Sequence, residues 1–211
     1  FDYVLIMLFF FFFFWMPQFL YWKTITGEWI FYSYSAKDAS FFWGNPQIID
    51  ILFSYKKGWF VYTPVMFIAF LGIFLLRKKQ KEAFWPILLF VILNIYTQSC
   101  WWSWWFGGSF GVRVFIDSYG IMALPLAMVL DVSSKNRILK FIAPAIILVL
   151  TWYNTFQIRQ YNNNAIHFWW NTKAGYWENF LRLHPSNEYW DMVRIPDYYL
   201  FCNGIYEAIT K

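Results

Sequence analysis

Charge is scarce in this sequence. Lys, Arg, Asp and Glu supply 14% of the 211 residues, while 60% are apolar and 27% aromatic. Soluble globular domains carry about 25% charged residues, so this composition excludes a soluble domain and points to a membrane protein. Cysteine and histidine are as sparse, with two of each. Neither has the spacing of a metal-ligand set, and no metal site is expected. No Gly-rich phosphate loop of the Walker or dinucleotide type occurs. No Asn-x-Ser/Thr acceptor occurs either, so nothing marks luminal glycosylation. The net charge of +5 is confined to short clusters beside apolar runs, a pattern that sets topology and excludes a nucleic-acid surface.

Long apolar runs are what the sequence has instead. Val4 to Tyr21 is nearly all Phe, Leu, Ile and Met, close to the roughly 20 residues a helix needs to cross the hydrocarbon core. Pro17 is expected to kink it. The run is too long and too aromatic for a signal-peptide core, and with Phe1 in place of an initiator Met the chain reads as a piece of a longer protein. Residues 22–58 form a mixed loop with Lys23, Glu28, Lys37, Asp38, Asp50, Lys56 and Lys57. Within it, Pro46 to Tyr55 suits a short interfacial helix. A second span, Trp59 to Leu76, stops at Arg77-Lys78-Lys79-Gln80-Lys81, and these cations place that end in the cytoplasm.

Alternation orders the rest. Ala83 to Gln98 leaves the cytoplasm, and Gly111 or Tyr119 to Val132 returns to a second basic turn with Lys135, Arg137 and Lys140. Leu139 to Tyr153 then exits. The expected fold is an all-α polytopic transmembrane bundle of four to five spans over residues 1–158. Its outer loop is 22–58, its Trp/Gly outer turn is 99–112, and an extracytoplasmic C-terminal tail covers 159–211. Cys100 and Cys202 both fall on the outer side, where an oxidising compartment permits a disulfide. His167 and His184 lie among aromatic and polar tail residues and read as packed or solvated side chains.

The stretch from Trp101 to Tyr119 holds four Trp and three Gly, then Arg113 and Asp117 four residues apart. Trp belongs at headgroup depth, Gly permits a tight turn, and the Arg–Asp spacing suits one helix face. An ionisable residue at that depth is costly unless it is paired or serves a site. Two readings stand side by side: an interfacial aromatic belt with an internal ion pair, or the mouth of a binding site.

Several short motifs resemble one family: Tyr21-Trp22-Lys23 with Thr26-Gly27, Asn45-Pro46, Leu52 to Phe60 with Tyr62-Thr63-Pro64, Phe106 to Arg113 with Asp117, and Ala123 to Ala127. Together they are similar to the C-terminal half of bacterial multi-pass glycosyltransferases of the GT-C type, relatives of protein mannosyltransferases and lipid A aminoarabinose transferases. The resemblance covers about Tyr21 to Leu130 and implies sugar transfer from a polyprenyl-phosphate donor on the periplasmic side of the bacterial inner membrane. It implies no cofactor beyond that lipid-linked substrate. Arg113, Lys57 and Lys56 are the cations placed to bind the donor phosphate, with Asp117, Trp104 and Trp105 in support, and Arg is favoured for its bidentate fork. The family's catalytic carboxylate lies in a first outer loop that has no counterpart here, and no catalytic role is carried to the outer carboxylates Glu28, Asp38 or Asp117. The alternative is a non-catalytic integral membrane subunit that packs against the helices of other subunits and lends its outer tail to a larger complex.

Overall fold

The computed structural model describes residues 2–31, 40–194 and 197–206. Lys37 and Asp38 lie outside the described residues. Among these residues the chain is all-helical, with 67% helix and no strand. The only β-type pairing is an isolated antiparallel bridge between Phe41 and Trp101. Three helical stretches are long and apolar enough to cross a membrane: Tyr3–Thr26, Arg113–Ser134 and Leu139–Asn162. That length and composition make the chain a membrane protein, since lipid leaves the backbone no partner outside the helix itself.

The chain divides into two units, residues 1–40 and 41–211. The first holds α1, Asp2–Thr26, with Pro17 inside it. No side chain from Tyr3 to Thr26 is buried, and neighbouring Phe rings stack one turn apart, Phe9 on Phe13 and Phe10 on Phe14. Lys23 and Thr26 close its last turn onto the backbone of Gly27 and Trp22.

The second unit opens with α2, Ile48–Phe53, and α3, Trp59–Tyr62. The apolar run expected as one span from Trp59 to Leu76 is broken at Thr63, and α4 begins only at Pro64 and runs to Lys79. Proline lacks the N–H that would continue α3, and its ring excludes the preceding residue from helical angles. Thr63 accordingly sits at φ −138° and ψ 67°. Then come α5, Lys81–Ser99, a 3-10 helix from Arg113 to Ser118, α6 from Tyr119 to Ser134, and α7 from Leu139 to Asn162. The tail adds short helices α8, Lys173–Glu178, α9, Tyr189–Met192, and α10, Tyr198–Cys202.

α4 and α6 form the largest helix pair and run parallel, with Tyr119 Oη donating to Thr63 Oγ1 at one end and Lys79 paired with Asp131 at the other. Their axes approach closely because position 72 is glycine. A Cβ there would lie 2.5 Å from the Pro125 carbonyl oxygen and 2.8 Å from Val129 Cγ2. Close approach through small residues is how helices associate when lipid offers them no hydrophobic drive. The Lys79–Asp131 pair is exposed and screened by solvent, so it adds little to stability.

Opposite the two basic turns, residues 41–58, the Trp/Gly turn and the tail pack together. α7 carries Asn154, Gln157 and Gln160 on one face. Asn154 donates to the Tyr62 carbonyl, Gln157 to the Val61 carbonyl at 3.3 Å, and Gln160 to the carbonyls of Asn179 and Arg182 at 2.7 Å each. The tail is therefore a folded layer. Its centre is Asn171, which donates to Tyr62 Oη at 3.0 Å and the Tyr55 carbonyl at 3.3 Å, and accepts from Tyr189 Oη at 3.0 Å. Cys100 and Cys202 form no disulfide.

Candidate functional site

The turn after α2 places both lysines. Ser54 accepts the Gly58 N–H on its carbonyl at 2.7 Å and the Lys56 N–H on its hydroxyl at 3.1 Å. The backbone folds back so tightly that a Cβ on Gly58 would stand 2.5 Å from the Ser54 nitrogen. Lys56 and Lys57 are turned inward by it, 6% and 1% exposed.

Lys57 Nζ donates to the Gly107 carbonyl and to Ser109 Oγ at 3.2 Å, and Ser109 Oγ donates on to the Gly111 carbonyl at 3.1 Å. It therefore holds the Trp/Gly turn. That turn depends on left-handed backbone at Phe106, Gly107 and Gly111. A bulky residue such as Phe106 at φ 54° is uncommon and stores strain that the surrounding contacts must hold.

Lys56 differs from its neighbour. Its Nζ sits 3.6 Å from the centre of the Trp105 ring and 5.6 Å from that of Phe201, with no hydrogen-bond acceptor among the described residues. In the same unit, the indole N–H groups of Trp59, Trp102, Trp104, Trp105 and Trp169 are buried and lack acceptors among the described residues, while Gln157 Oε1 lacks a donor. Buried polar groups are almost always paired, and among these unpaired ones the donors outnumber the acceptors. Burial pulls the Lys56 amine down to about 7, against the opposing charge of Asp50. Burial, then the positive charges of Lys56 and Arg113, pull Lys57 to about 7 as well. Asp50 is pushed up by burial, with Lys56 acting in the opposite sense.

Arg113 and Asp117 behave otherwise than their spacing suggested. They occupy a 3-10 helix, whose three residues per turn put position i+3, not i+4, above position i. Both are exposed, and no ion pair joins them. Arg113 nevertheless lies near enough to Lys57 for its charge to act on that amine. Trp104 and Trp105, expected in an interfacial belt or supporting the site, are fully buried inside the protein. Trp105 meets Phe201 of the tail edge to face at 5.1 Å. Of the remaining carboxylates, Glu28 belongs to the first unit and is exposed.

Three residues at this end were given no part in the site by the sequence, which read His167 as a packed or solvated side chain. Asp50 is the carboxylate whose charge reaches Lys56, Ser109 is a partner of Lys57, and His167 feels the charge of Lys57. The position of Asp50, six residues before Lys56 in the same short segment, was the one signal that could have flagged it. Among the described residues no group of His, Cys, Asp and Glu could hold a metal. An apolar groove of about 450 Å³ lies between α5 and α6, lined by Pro86, Ile87 and Phe90 of α5 and Gly120, Ile121 and Leu124 of α6. Chemically, the arrangement suits an oxyanion: three basic side chains, Lys56, Lys57 and Arg113, with no carboxylate of the described residues ion-paired to any of them. Compared with known proteins, the chain matches no family model, no curated protein and no solved structure.

Proposed function

We propose that the chain is the donor-binding membrane part of a GT-C type glycosyltransferase, which takes a polyprenyl-phosphate sugar at the end that holds the Trp/Gly turn. The observation that carries this reading is the gathering of Lys56, Lys57 and Arg113 around one turn, with Lys56 buried and without a hydrogen-bond acceptor among the described residues. A phosphate supplies Lys56 with an acceptor, and a charged acceptor roughly doubles the strength of each such bond. Lys57 already spends donors on Gly107 and Ser109, so Lys56 and Arg113 are the primary phosphate ligands. The groove between α5 and α6 suits an isoprenoid chain. No residue of the chain is assigned as the catalytic base.

In this reading α1, α3 with α4, α5, the 3-10 helix with α6, and α7 make five crossings of a bacterial inner membrane. The basic turns after α4 and α6 face the cytoplasm, and the C-terminal tail is periplasmic. Single cysteines at Lys79 and Asn187, in a background lacking Cys100 and Cys202, test the sidedness with an impermeant thiol reagent. In spheroplasts Asn187→Cys is expected to label and Lys79→Cys to label only after lysis; the reverse pattern overturns the orientation.

Donor binding is tested with phosphatidylcholine vesicles with and without polyprenyl phosphate. Arg113→Lys keeps the charge but loses the bidentate fork, and Lys56→Met removes the buried amine while keeping its bulk. Each is expected to weaken binding by about tenfold, the worth of one hydrogen bond to a charged group. Asp117→Asn is expected to do little. A parent protein that does not distinguish the two vesicle types ends this reading.

A further inference from the structure

His167 stands beside this cluster without having been part of the reason for it. Its ring is stacked on Trp170 at 5.2 Å with 8° between planes, and on Phe168 at 4.5 Å. The imidazole is therefore fixed in orientation by two aromatic faces. Its Nδ1 accepts two backbone N–H groups, from Trp169 at 3.1 Å and Trp170 at 2.9 Å. An Nδ1 that accepts carries no proton, so in the neutral ring the proton sits on Nε2. No partner for Nε2 exists among the described residues. Burial, and next the charge of Lys57, hold the His167 pKa below the usual histidine range, so the ring stays neutral at pH 7.

The surrounding turn brings this ring within reach of the charge of Lys57. Phe168 lies against Gly108, where a Cβ would come within 3.1 Å of its ring, while Lys57 grips the residues on either side, Gly107 and Ser109. The tail and the loop thus hold consecutive residues of one turn. His167 itself is anchored through its backbone N–H, which donates to Tyr189 Oη at 2.6 Å, and Tyr189 reaches Asn171. Lys57 and Tyr189 are the titratable groups that face it.

We infer that His167 is a further binding residue of this site, presenting a neutral, orientation-locked Nε2–H to an oxygen of the anionic headgroup that Lys56 and Arg113 attract. The inference rests on the reading of the site as a polyprenyl-phosphate site. A neutral donor adds direction where the cations add charge, because one N–H on a fixed ring accepts only one approach, whereas an ammonium accepts many.

The test uses the full chain and the same vesicles. His167→Asn places an amide oxygen where Nδ1 was, so the Trp169 and Trp170 N–H groups keep an acceptor, and it deletes only the outer donor. It is expected to fold as the parent does and to bind polyprenyl-phosphate vesicles about tenfold more weakly. His167→Gln, which returns an N–H near the Nε2 position, is expected to recover part of that loss. The parent and His167→Asn both lose affinity as pH rises through about 7, where Lys56 and Lys57 give up their charge, yet the ratio between them stays constant because a neutral ring does not titrate there. Inorganic phosphate as competitor separates a lipid headgroup from a free ion. If His167→Asn binds as tightly as the parent while Lys56→Met and Arg113→Lys bind weakly, the role of His167 is wrong and the donor site stands. If inorganic phosphate displaces the lipid fully and shows the same tenfold loss, the assignment to a lipid headgroup is overturned. If the parent ignores polyprenyl phosphate, both readings fall together.

Discussion

Gly72→Leu is expected to destabilise the helical unit by about 3 kcal/mol, the upper range for overpacking a close contact. The cause is local and hard. The first atom of any side chain at position 72 would meet the Pro125 carbonyl at 2.5 Å, and that oxygen belongs to a helix backbone that cannot turn aside as a flexible side chain can. α4 and α6 must separate, and their separation also strains Tyr119–Thr63 at one end and Lys79–Asp131 at the other. Thermal unfolding in detergent followed by circular dichroism should show Tm lowered on the order of 10 °C. Gly120→Leu is the control, because a Cβ at that position meets nothing within 4 Å. If the two variants melt alike, the close α4–α6 approach is not what holds the pair together.

The second large effect is expected at Asn171. Its amide joins three aromatic residues from distant parts of the chain: Tyr55 and Tyr62 near α3, and Tyr189 in the tail. Leucine has nearly the same volume and none of the polar atoms, so Asn171→Leu leaves the Tyr189 hydroxyl without its acceptor in a buried place. An unsatisfied buried donor costs about 1 to 3 kcal/mol, and a network member stands at the upper end. The tail should loosen before the helices do. Limited proteolysis is the direct measure, with cleavage between Ala165 and Tyr206 expected to accelerate while fragments containing α4 to α7 persist. Unchanged proteolysis would mean that the tail is held chiefly by its aromatic contacts.

Some of this was readable from the residues alone. Apolar runs located α1, α5 and α7, because helix length and hydrophobicity are local properties and lipid leaves few alternatives. The break at Thr63 was equally local, since Pro64 announces it, yet an unbroken apolar count from Trp59 to Leu76 masks the change in backbone. Arg113 and Asp117 show a different difficulty: a spacing of four implies a shared face only at 3.6 residues per turn, and sequence does not announce that Arg113–Ser118 winds as a 3-10 helix. Trp104 and Trp105 show a third. An indole buried in protein and an indole at a lipid interface have the same composition, and only the arrival of Phe201 and Lys56 from elsewhere decides between them. The cations at 56, 57 and 113 could be named as a set, but the side-chain amides of Gln157, Gln160, Asn171 and Asn179 that fasten the tail act between residues 14 to 116 apart, beyond the reach of any periodic pattern.

Those same separations bear on how the protein is made. Lys57 waits 50 residues for Gly107, Trp102 waits 104 for Tyr206, and Tyr55 waits 116 for Asn171. During synthesis α4 to α7 form one after another, each satisfied by its own backbone, whereas the opposite end is completed only when residues 165–206 arrive. Until then Lys56 and Lys57 face water and hold their protons as ordinary amines do. Long-range closure is the slow part of folding, so the loss of basicity at these two side chains comes late, and a chain whose tail has not docked would meet a passing anion with full charge but no pocket.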